Sequence, residues 1–455
     1  MASSSFKVII AGGGPVGLTA AHALSRAGID FTLLESRDNI VIQAGYNVVL
    51  SPLSMRAFGQ LDLLDQLNKV SAQLKTVMRL DHTGRDLGNM NWFQYVHQMC
   101  GVYPQVLSRH DLTKVLYSNL PADAQAKIEI NKKITDIEST SNGVTVSCAD
   151  GTSYTASLII GADGAHSMIR TNMRKLALAA GCKDDEINPE EPFLTTYRCL
   201  WIRFPTSACA ELVPGTTSET HGNGAAVQLF VGERTGTAGL YERLDAPRRH
   251  RVRYTKEDEE EAVKKWGSLP IVKGNKEFTL AKLYETREES GLLSLEEGVV
   301  EHWSWGGRVV LVGDAAHKFT PNTGAGCNHG VADVVALANQ LNKMIKAADS
   351  APSEEQVAEV LRAYRDERIT PVQIACAGAG KATGLSTWAD YVSWFMDFWV
   401  VGSFLQRFLF NTKTVATSVS KAPVFDYFPG TDKFSGAVPW LVPMPKPNPV
   451  ATASA

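Results

Sequence analysis

"FKVIIAGGGPVGLTAAHALSRAGIDFTLLE", residues 6–35, decides the fold of this 455-residue chain. Residues 6–11 form a short, nearly all-apolar run, which is typical of a parallel strand covered on both faces. A glycine-rich turn and a helical stretch follow, and a second apolar run, residues 31–34, ends at Glu35. The order of strand, glycines, helix, strand and acid predicts a dinucleotide-binding βαβ unit.

The glycines of this unit have the G-x-G-x-x-G spacing, at Gly12, Gly14 and Gly17. The first permits a tight turn, the second lets backbone approach a pyrophosphate, and the third lets the helix pack closely on the strand. Glu35 is placed to accept hydrogen bonds from ribose hydroxyls. The alternative is a glycine-rich turn in an ordinary α/β domain, and the spacing does not distinguish NAD from FAD.

Two later apolar runs also end in glycine and aspartate: "LIIGADGAHSMIR", residues 158–170, and "RVVLVGDAAHKFTPNTGAGCNHG", residues 308–330. Asp314, at the end of the second run, can accept hydrogen bonds from sugar hydroxyls. The backbone of "NTGAG", residues 322–326, can offer N–H groups to a bound acceptor. The alternatives are that Asp163 forms a turn and that Asp314 caps the following helix.

With these three motifs the chain resembles the FAD-dependent aromatic hydroxylases, the class A flavoprotein monooxygenases. The resemblance implies FAD as the bound dinucleotide and NADPH as the reductant. It places Glu35 at the adenosine ribose and Arg109, in "LSRHDL", on the pyrophosphate side. The residues that it assigns to FAD are Gly12, Gly14, Gly17, Glu35, Gly45, Val48, Arg109, Asp163, Asp314, Pro321, Gly324, Gly326 and Cys327.

The same resemblance implies further roles in the flavin site. Asp163 serves the flavin and nicotinamide region, Asp314 binds the ribityl chain, and the backbone of Gly326 and Cys327 lies near the isoalloxazine. Arg109 has the alternative of a capping or pairing role on a helix surface. A packing role is the alternative to a reactive thiol for Cys327.

Three stretches, residues 33–52, 100–121 and 317–333, resemble a narrower group, the fungal biosynthetic epoxidases of paxilline type and the spirooxindole-forming indole monooxygenases. That resemblance implies epoxidation of an electron-rich C=C, such as the indole C2=C3 of a prenylated alkaloid, through a C4a-hydroperoxyflavin. The sequence Gly45-Tyr46-Asn47-Val48 departs from the small residues usual there. Alternatives are epoxidation of a polyprenyl chain in a meroterpenoid or indole diterpene, phenol hydroxylation, and a flavin-binding protein or reductase without oxygenase activity.

The expected fold class is α/β, a Rossmann-like FAD-binding domain with an inserted antiparallel-sheet substrate domain and a helical C-terminal region. Strand periodicity at residues 194–204, 225–233 and 237–244 predicts the inserted sheet. The expected domains are 1–185 and 301–345 for FAD, 186–300 for substrate, and 346–455 for the helical region and tail.

Tyr197 and Arg198, on the first strand of the inserted sheet, are the candidate catalytic residues. The resemblance implies that an arginine in this "YR" segment contacts substrate or acts as an acid. Arginine stays charged, so such a residue acts by donating hydrogen bonds rather than by ordinary proton transfer. The alternative for Arg198 is a surface salt bridge.

Composition narrows the class of partner. A net charge of -3 argues against nucleic acid, and seven scattered cysteines without metal-ligand spacing indicate reduced thiols and no metal site. No secretory signal precedes the first strand, so we expect a cytoplasmic enzyme with a small hydrophobic substrate, O2 and no obligate protein partner.

The segment "WADYVSWFMDFWVVGSFLQRFLF", residues 388–410, is dense in aromatic side chains. Asp390, Asp397 and Arg407 interrupt it, which argues against a membrane span. It predicts a helix packed against the substrate domain or an interfacial helix in peripheral contact with a membrane.

Overall fold

The computed structural model describes residues 6–43, 45–406 and 419–446. Its central layer is a six-stranded sheet. The strands lie in the order Ser304–Trp305, Val309–Leu311, Leu158–Gly161, Lys7–Ala11, Asp30–Leu34 and Ile128–Glu129. All neighbours are parallel except the first pair, as expected of buried apolar strands joined by helical crossovers.

The register of this central sheet brings the three sequence motifs together. Ala11 pairs with Gly161, and Gly161 pairs with Leu311, so the three strands end at one edge. Each strand is followed by its glycine-rich turn, and the three turns therefore lie side by side. Ligands of open α/β sheets bind at this carboxyl edge of the strands.

A seven-stranded sheet forms a second layer, here called the roof sheet. Its strands lie in the order His317–Lys318, Glu289–Val299, Leu194–Pro205, Thr235–Arg248, Ala225–Val231, Thr217–His221 and Val77–Asp81. Its neighbours are antiparallel except the last pair. Smaller sheets contain Ser153–Ala156, Gly143–Cys148 and Ile134–Thr140; Asn47–Leu50, Gln105–Ser108 and Ala72–Gln73; and Pro270–Val272 with Asn275–Thr279.

Helices surround both sheets. The α-helices are Pro15–Ala27, Pro52–Gln60, Leu64–Asn68, Trp92–Cys100, Arg109–Ser118, Ala122–Gln125, Met168–Ala179, Lys256–Trp266, Leu280–Glu285, Ala325–Ala347, Glu354–Ser386 and Tyr391–Phe395. Short 3-10 turns occupy Asp184–Glu186, Thr206–Ala208, Gly313–Ala315 and Pro321–Thr323, and a π-helical turn spans Met396–Val401. The expected α/β class with an antiparallel sheet and a helical C-terminal region is confirmed.

The roof sheet buries different side chains on its two faces. Leu200, Ile202 and Phe204 belong to an apolar core on one face, whereas Tyr197 and Cys199 belong to a separate cluster on the other. This division follows from the two-residue period of a strand. The expected domain boundaries stay a prediction, and the roof sheet also includes strands from residues 77–81 and 317–318.

The aromatic segment, residues 388–410, forms a short helix and the π-helical turn, and its residues 407–410 lie outside the described part of the chain. Tyr391 is 74% exposed and Trp399 54%, while Asp397 is fully buried. Within the described ranges, no helix combines the length and apolar character needed to span a bilayer.

Candidate functional site

The first glycine-rich turn is closed by contacts that exclude any side chain. Gly12 has φ +105°, and a Cβ there would lie 2.7 Å from the carbonyl oxygen of Ala162. A Cβ on Gly17 would lie 1.9 Å from the carbonyl oxygen of Gly12. The helix Pro15–Ala27 therefore begins directly against the strand end, as the spacing predicts.

Arg170 joins the second and third turns. Its guanidinium donates hydrogen bonds to the carbonyl oxygens of Ala165, at 2.7 Å, and Ala315, at 2.8 Å. The first turn meets the third where Val16 packs against Gly313 and Gly330, at which a Cβ would lie within 3.3 Å and 2.6 Å of its side chain. The three turns thus form one continuous wall.

Two helices begin at this wall without a capping side chain. Gly14 is the N-cap of Pro15–Ala27, and Gly324, with φ +63°, is the N-cap of Ala325–Ala347. Their first backbone N–H groups are available to an anionic or carbonyl-bearing ligand. A Cβ on Gly14 would lie 3.5 Å from Nη2 of Arg109, so the Arg109 guanidinium lies beside the N-terminus of helix Pro15–Ala27.

Gly45, Val48 and Pro321 lie around these two helix starts. Gly45 has φ +104°, and its Cβ position is 3.6 Å from Cδ of Arg109. Val48 lies in Asn47–Leu50 and pairs with Leu107. Pro321 begins the 3-10 turn Pro321–Thr323, which Gly324 caps by donating its N–H to the Pro321 carbonyl oxygen at 2.9 Å.

Glu35 occupies the position that the motif predicts. It is 5% exposed and accepts hydrogen bonds from the backbone N–H groups of Gly13, at 2.7 Å, and Arg37, at 2.9 Å. These bonds hold the carboxylate at the first turn, where a ribose would lie.

Asp163 carries an unpartnered acceptor. Its Oδ2 accepts from the N–H of Ile169 at 3.1 Å, while Oδ1 is buried without a hydrogen-bond partner. Burial raises the pKa of this carboxyl above its ordinary value, against the hydrogen bonds from Ser167 and Ile169. A buried acceptor without a donor indicates a place for a ligand group.

Asp314 and Cys327 belong to the third motif and are close enough for the charge of Asp314 to affect the thiol. A Cβ on Gly326 would lie 3.6 Å from Oδ1 of Asp314. Burial raises the pKa of Cys327 to about 12, with the charge of Arg109 opposing this rise and that of Asp314 adding to it. Two helix starts without capping side chains, the carboxylate of Glu35 at the first turn and that of Asp314 at the third fit the phosphates, sugar and ring edge of FAD.

A cavity of about 300 Å³ adjoins the third turn and the roof sheet. Its apolar wall includes Val49, Val77, Met90, Phe93, Phe230, Leu385 and Val401. Its polar wall includes Arg79, Glu219, His221, Gln228 and Asn322. Gly324, which the family resemblance assigns to FAD, also lines this cavity. A molecule held in the cavity would therefore lie beside the wall formed by the three glycine-rich turns, here called the flavin wall.

The polar wall is a connected network. His221 lies between two carboxylates, with Nε2 at 2.8 Å from Oε2 of Glu219 and Nδ1 at 2.9 Å from Oδ2 of Asp397. Burial lowers the pKa of His221, but the two carboxylates outweigh it and raise the pKa to about 9. The imidazolium in turn lowers the pKa of both carboxyls, against their burial.

Gln228 extends the network to the third turn. Its Nε2 donates to Oε1 of Glu219 at 2.6 Å and to the carbonyl oxygen of Asn322 at 3.1 Å. The hydroxyl of Tyr241 donates to Gln228 Oε1 at 3.0 Å. These bonds fix the Glu219 carboxylate relative to the turn that precedes Gly324.

The structure separates the two candidate catalytic residues from the cavity wall. Arg198 pairs with Glu242 at 2.7 Å, on the roof-sheet face opposite Tyr197. Tyr197 is buried, and its hydroxyl lies 3.2 Å from Oγ1 of Thr387. Arg198 therefore forms a salt bridge, as in the alternative considered for it, but the pair is largely buried rather than on the surface, with Arg198 19% and Glu242 6% exposed.

Sequence reasoning missed Arg79, Glu219, His221 and Gln228. One signal was available: in "TSETH", residues 217–221, Glu219 and His221 are two positions apart and therefore share one strand face. The sequence pattern identified Asp397 only as one of the charged residues that argue against a membrane span. Its buried pairing with His221 and Arg79 was not visible in the pattern.

His317 and His329 belong to a structural network behind the third turn. His317 Nε2 lies 2.5 Å from Oδ2 of Asp333, and Arg368 donates to Oδ1 of the same carboxylate at 2.9 Å. Burial, with the charge of Arg368, lowers the pKa of His329 to about 3. The network also holds the third turn in place, because the backbone N–H of Gly313 donates to Asp333 at 3.0 Å.

Comparisons with known proteins identify the family of this chain. The family model described as "FAD binding domain" matches residues 5–182 and 250–373. The FAD-dependent monooxygenase paxM of Penicillium paxilli is 32% identical over 81% of this chain and 76% of its own. The FAD-dependent monooxygenase penE of Penicillium thymicola is 30% identical over 94% and 89%.

Solved structures share the fold. HpxO of Klebsiella pneumoniae, complexed with FAD and uric acid, superposes with a TM-score of 0.69 at 19% identity, covering 92% of this chain and 97% of that one. The chain therefore belongs to the FAD-binding-domain family and is an FAD-dependent monooxygenase.

Proposed function

We propose that this monooxygenase uses NADPH and O2 to epoxidise an electron-rich C=C of a small hydrophobic substrate, such as the indole C2=C3 of a prenylated indole alkaloid. The observation that carries the proposal is the cavity beside Gly324, whose wall is largely apolar. Its relatives paxM and penE are monooxygenases of Penicillium species, which supports a role in fungal secondary metabolism.

FAD held at this wall would supply the redox chemistry, which is electron transfer from the nicotinamide and activation of O2. The chain's own residues have three other tasks. Asp314, Arg109 and the two helix starts hold the flavin, in line with the family resemblance. Phe93, Phe230 and Leu385 keep water away from the reacting atoms, and the polar wall orients the substrate.

Three alternative functions remain candidates. Phenol hydroxylation gains support from the carboxylate of Glu219 in the cavity wall, because a phenol must lose a proton. Epoxidation of a polyprenyl chain gains support from the apolar wall alone. A flavin-binding protein or reductase without oxygenase activity has no specific feature of the site in its favour.

One experiment tests the proposal directly. The purified protein should be yellow with bound FAD, and it should oxidise NADPH faster in the presence of a prenylated indole, with an oxygenated product by mass spectrometry. Simple phenols, a polyprenyl phenol and NADH form the comparison panel. Stimulation by simple phenols alone would refute the epoxidase assignment, and equal rates with NADH would refute the preference for NADPH.

Localisation and membrane contact are also proposals. We propose a cytoplasmic enzyme that collects greasy substrates through a peripheral contact of the aromatic segment. The exposed rings of Tyr391 and Trp399 support this contact. Flotation of the protein with phosphatidylcholine vesicles tests it, and a protein that stays wholly in the soluble fraction contradicts it.

A further inference from the structure

Glu219 places a carboxylate in the wall of an otherwise largely apolar cavity. Its side chain is 13% exposed, whereas that of His221 behind it is 2% exposed and that of Asp397 is not exposed at all. Within this group, Glu219 is therefore the acid that a molecule in the cavity can reach. Val77, Phe93 and Phe230 line the same space.

The surrounding charges keep this carboxylate ionised. Arg79 and the imidazolium of His221 are the cations of the network, and Asp397 is the second anion, so the four charges balance. Such pairing makes a buried carboxylate an acceptor rather than a donor at neutral pH.

Hydrogen bonding leaves part of this acceptor unused. Oε2 of Glu219 accepts from His221 at 2.8 Å and Oε1 accepts from Gln228 at 2.6 Å. A carboxylate offers about four acceptor positions. Each oxygen thus retains a lone pair for a donor in the cavity.

We propose that Glu219 is the substrate-anchoring residue of this enzyme, accepting a hydrogen bond from an indole N–H or a phenolic O–H while the apolar wall holds the prenylated part. This inference rests on the proposed function, because it takes the cavity as the substrate site. It narrows the substrate class to molecules that carry an N–H or O–H donor. A polyprenyl hydrocarbon without a donor would cover the carboxylate without giving it a hydrogen bond.

The hydrogen bond to Glu219 also sets the orientation of the substrate in the cavity. Gln228 connects Glu219 to the backbone of Asn322, two residues before Gly324, so the anchored end of the substrate is fixed relative to the flavin wall. A hydrogen bond from the ring N–H or O–H to a carboxylate increases the electron density of the ring, which favours attack by an electrophilic oxygen.

Paired probes test the anchor in the FAD-loaded enzyme. The pairs are 3-prenylindole with its N-methyl derivative, and 4-prenylphenol with its methyl ether. Binding is measured without turnover, by titrating the flavin absorbance in the absence of NADPH. The parent enzyme should bind at least one donor-bearing probe about tenfold or more tightly than its methylated partner.

The variant Glu219→Gln should reduce this discrimination to about twofold or less while retaining FAD. Glu242→Gln is the matched control, since Glu242 is also a largely buried, ion-paired carboxylate, on the opposite face of the roof sheet. That control should leave the discrimination unchanged. The comparison within the parent enzyme does not depend on the variant folding.

Other outcomes overturn the anchor. Equal binding of both members of each pair by the parent, no binding of either donor-bearing probe, or equal losses for both members in Glu219→Gln each contradict it. Failure of the proposed function looks different: the probes bind with the expected discrimination, but no oxygenated product forms with NADPH and O2.

Discussion

Arg79 and Asp397 form an ion pair in which neither side chain is exposed, although 318 residues separate them in the chain. Arg79 also donates to the carbonyl oxygen of Asp397, at 2.7 Å. The pair connects an edge strand of the roof sheet to the aromatic segment near the C-terminus, and Asp397 also contacts His221 in the cavity wall.

Removing one partner of this pair should destabilise the protein strongly. Asp397→Asn leaves a buried guanidinium without its counter-charge, and we expect a loss of about 3–5 kcal/mol in the free energy of unfolding, measured by urea denaturation. The exposed pair Arg26–Asp62 is the control, and Asp62→Asn should change stability by less than about 1 kcal/mol. Similar losses in both variants would contradict the buried role.

Stability should fall in alkaline solution because of His221. Its pKa is about 9 in the folded protein and 6.5 ordinarily, so its contribution is complete below about pH 6.5 and is lost as pH rises through 9. A shift of this size corresponds to on the order of 3 kcal/mol at pH 7. Urea denaturation between pH 7 and 9.5 should show a smaller decrease for His221→Gln than for the parent, and parallel curves would contradict this assignment.

Two glycine substitutions should have opposite effects. Gly17→Ala puts a Cβ 1.9 Å from the carbonyl oxygen of Gly12, so we expect loss of FAD and a loss of about 1–3 kcal/mol or more in stability. Gly378→Ala, in the exposed interior of a helix, meets nothing within 4 Å and should gain about 0.5–1 kcal/mol. Retention of FAD by Gly17→Ala would refute the geometry of the first turn.

Asp314→Ala should release FAD. The carboxylate lies beside Gly326 at the third turn, where the family resemblance places the ribityl hydroxyls. We expect FAD affinity to fall by about tenfold or more, measured by flavin fluorescence after ultrafiltration. Asp349→Ala, at an exposed position, serves as the control. Unchanged affinity in Asp314→Ala would remove this residue from the flavin site.

Arg198→Met distinguishes the two roles considered for Arg198. Its ion pair with Glu242, away from the cavity wall, favours a structural role, so we expect turnover within about twofold of the parent and a loss of about 1–3 kcal/mol in stability. A fall in turnover with stability unchanged would instead support the catalytic role that the sequence suggests.

The sequence predicts the strands and glycine-rich turns of the first layer well because their signals are local. Gly12, Gly17 and Glu35 lie in one βαβ unit, and each later motif follows directly on its own strand. The chemistry of the cavity wall is not local. Arg79, Glu219 and Asp397 come from three distant segments, and the pairing of strands Val77–Asp81 and Thr217–His221 brings two of them together.

Tyr197 and Arg198 show a different limit. They are adjacent in sequence, and the strand period necessarily places them on opposite faces of the roof sheet. The pattern indicates a strand there without showing which face is turned toward the flavin wall. That assignment depends on how the sheet packs, with Cys199 on the face that contacts Tyr46, at 3.1 Å from its hydroxyl.

The raised pKa of Cys327 affects how readily peroxide can inactivate the enzyme. Oxygen-activating flavin sites can release peroxide, and peroxide attacks the thiolate form of cysteine rather than the thiol. With a pKa of about 12, the thiolate fraction of Cys327 at pH 7 is on the order of 10⁻⁵. The raised pKa thus keeps this partly exposed cysteine in the thiol form, which peroxide attacks slowly.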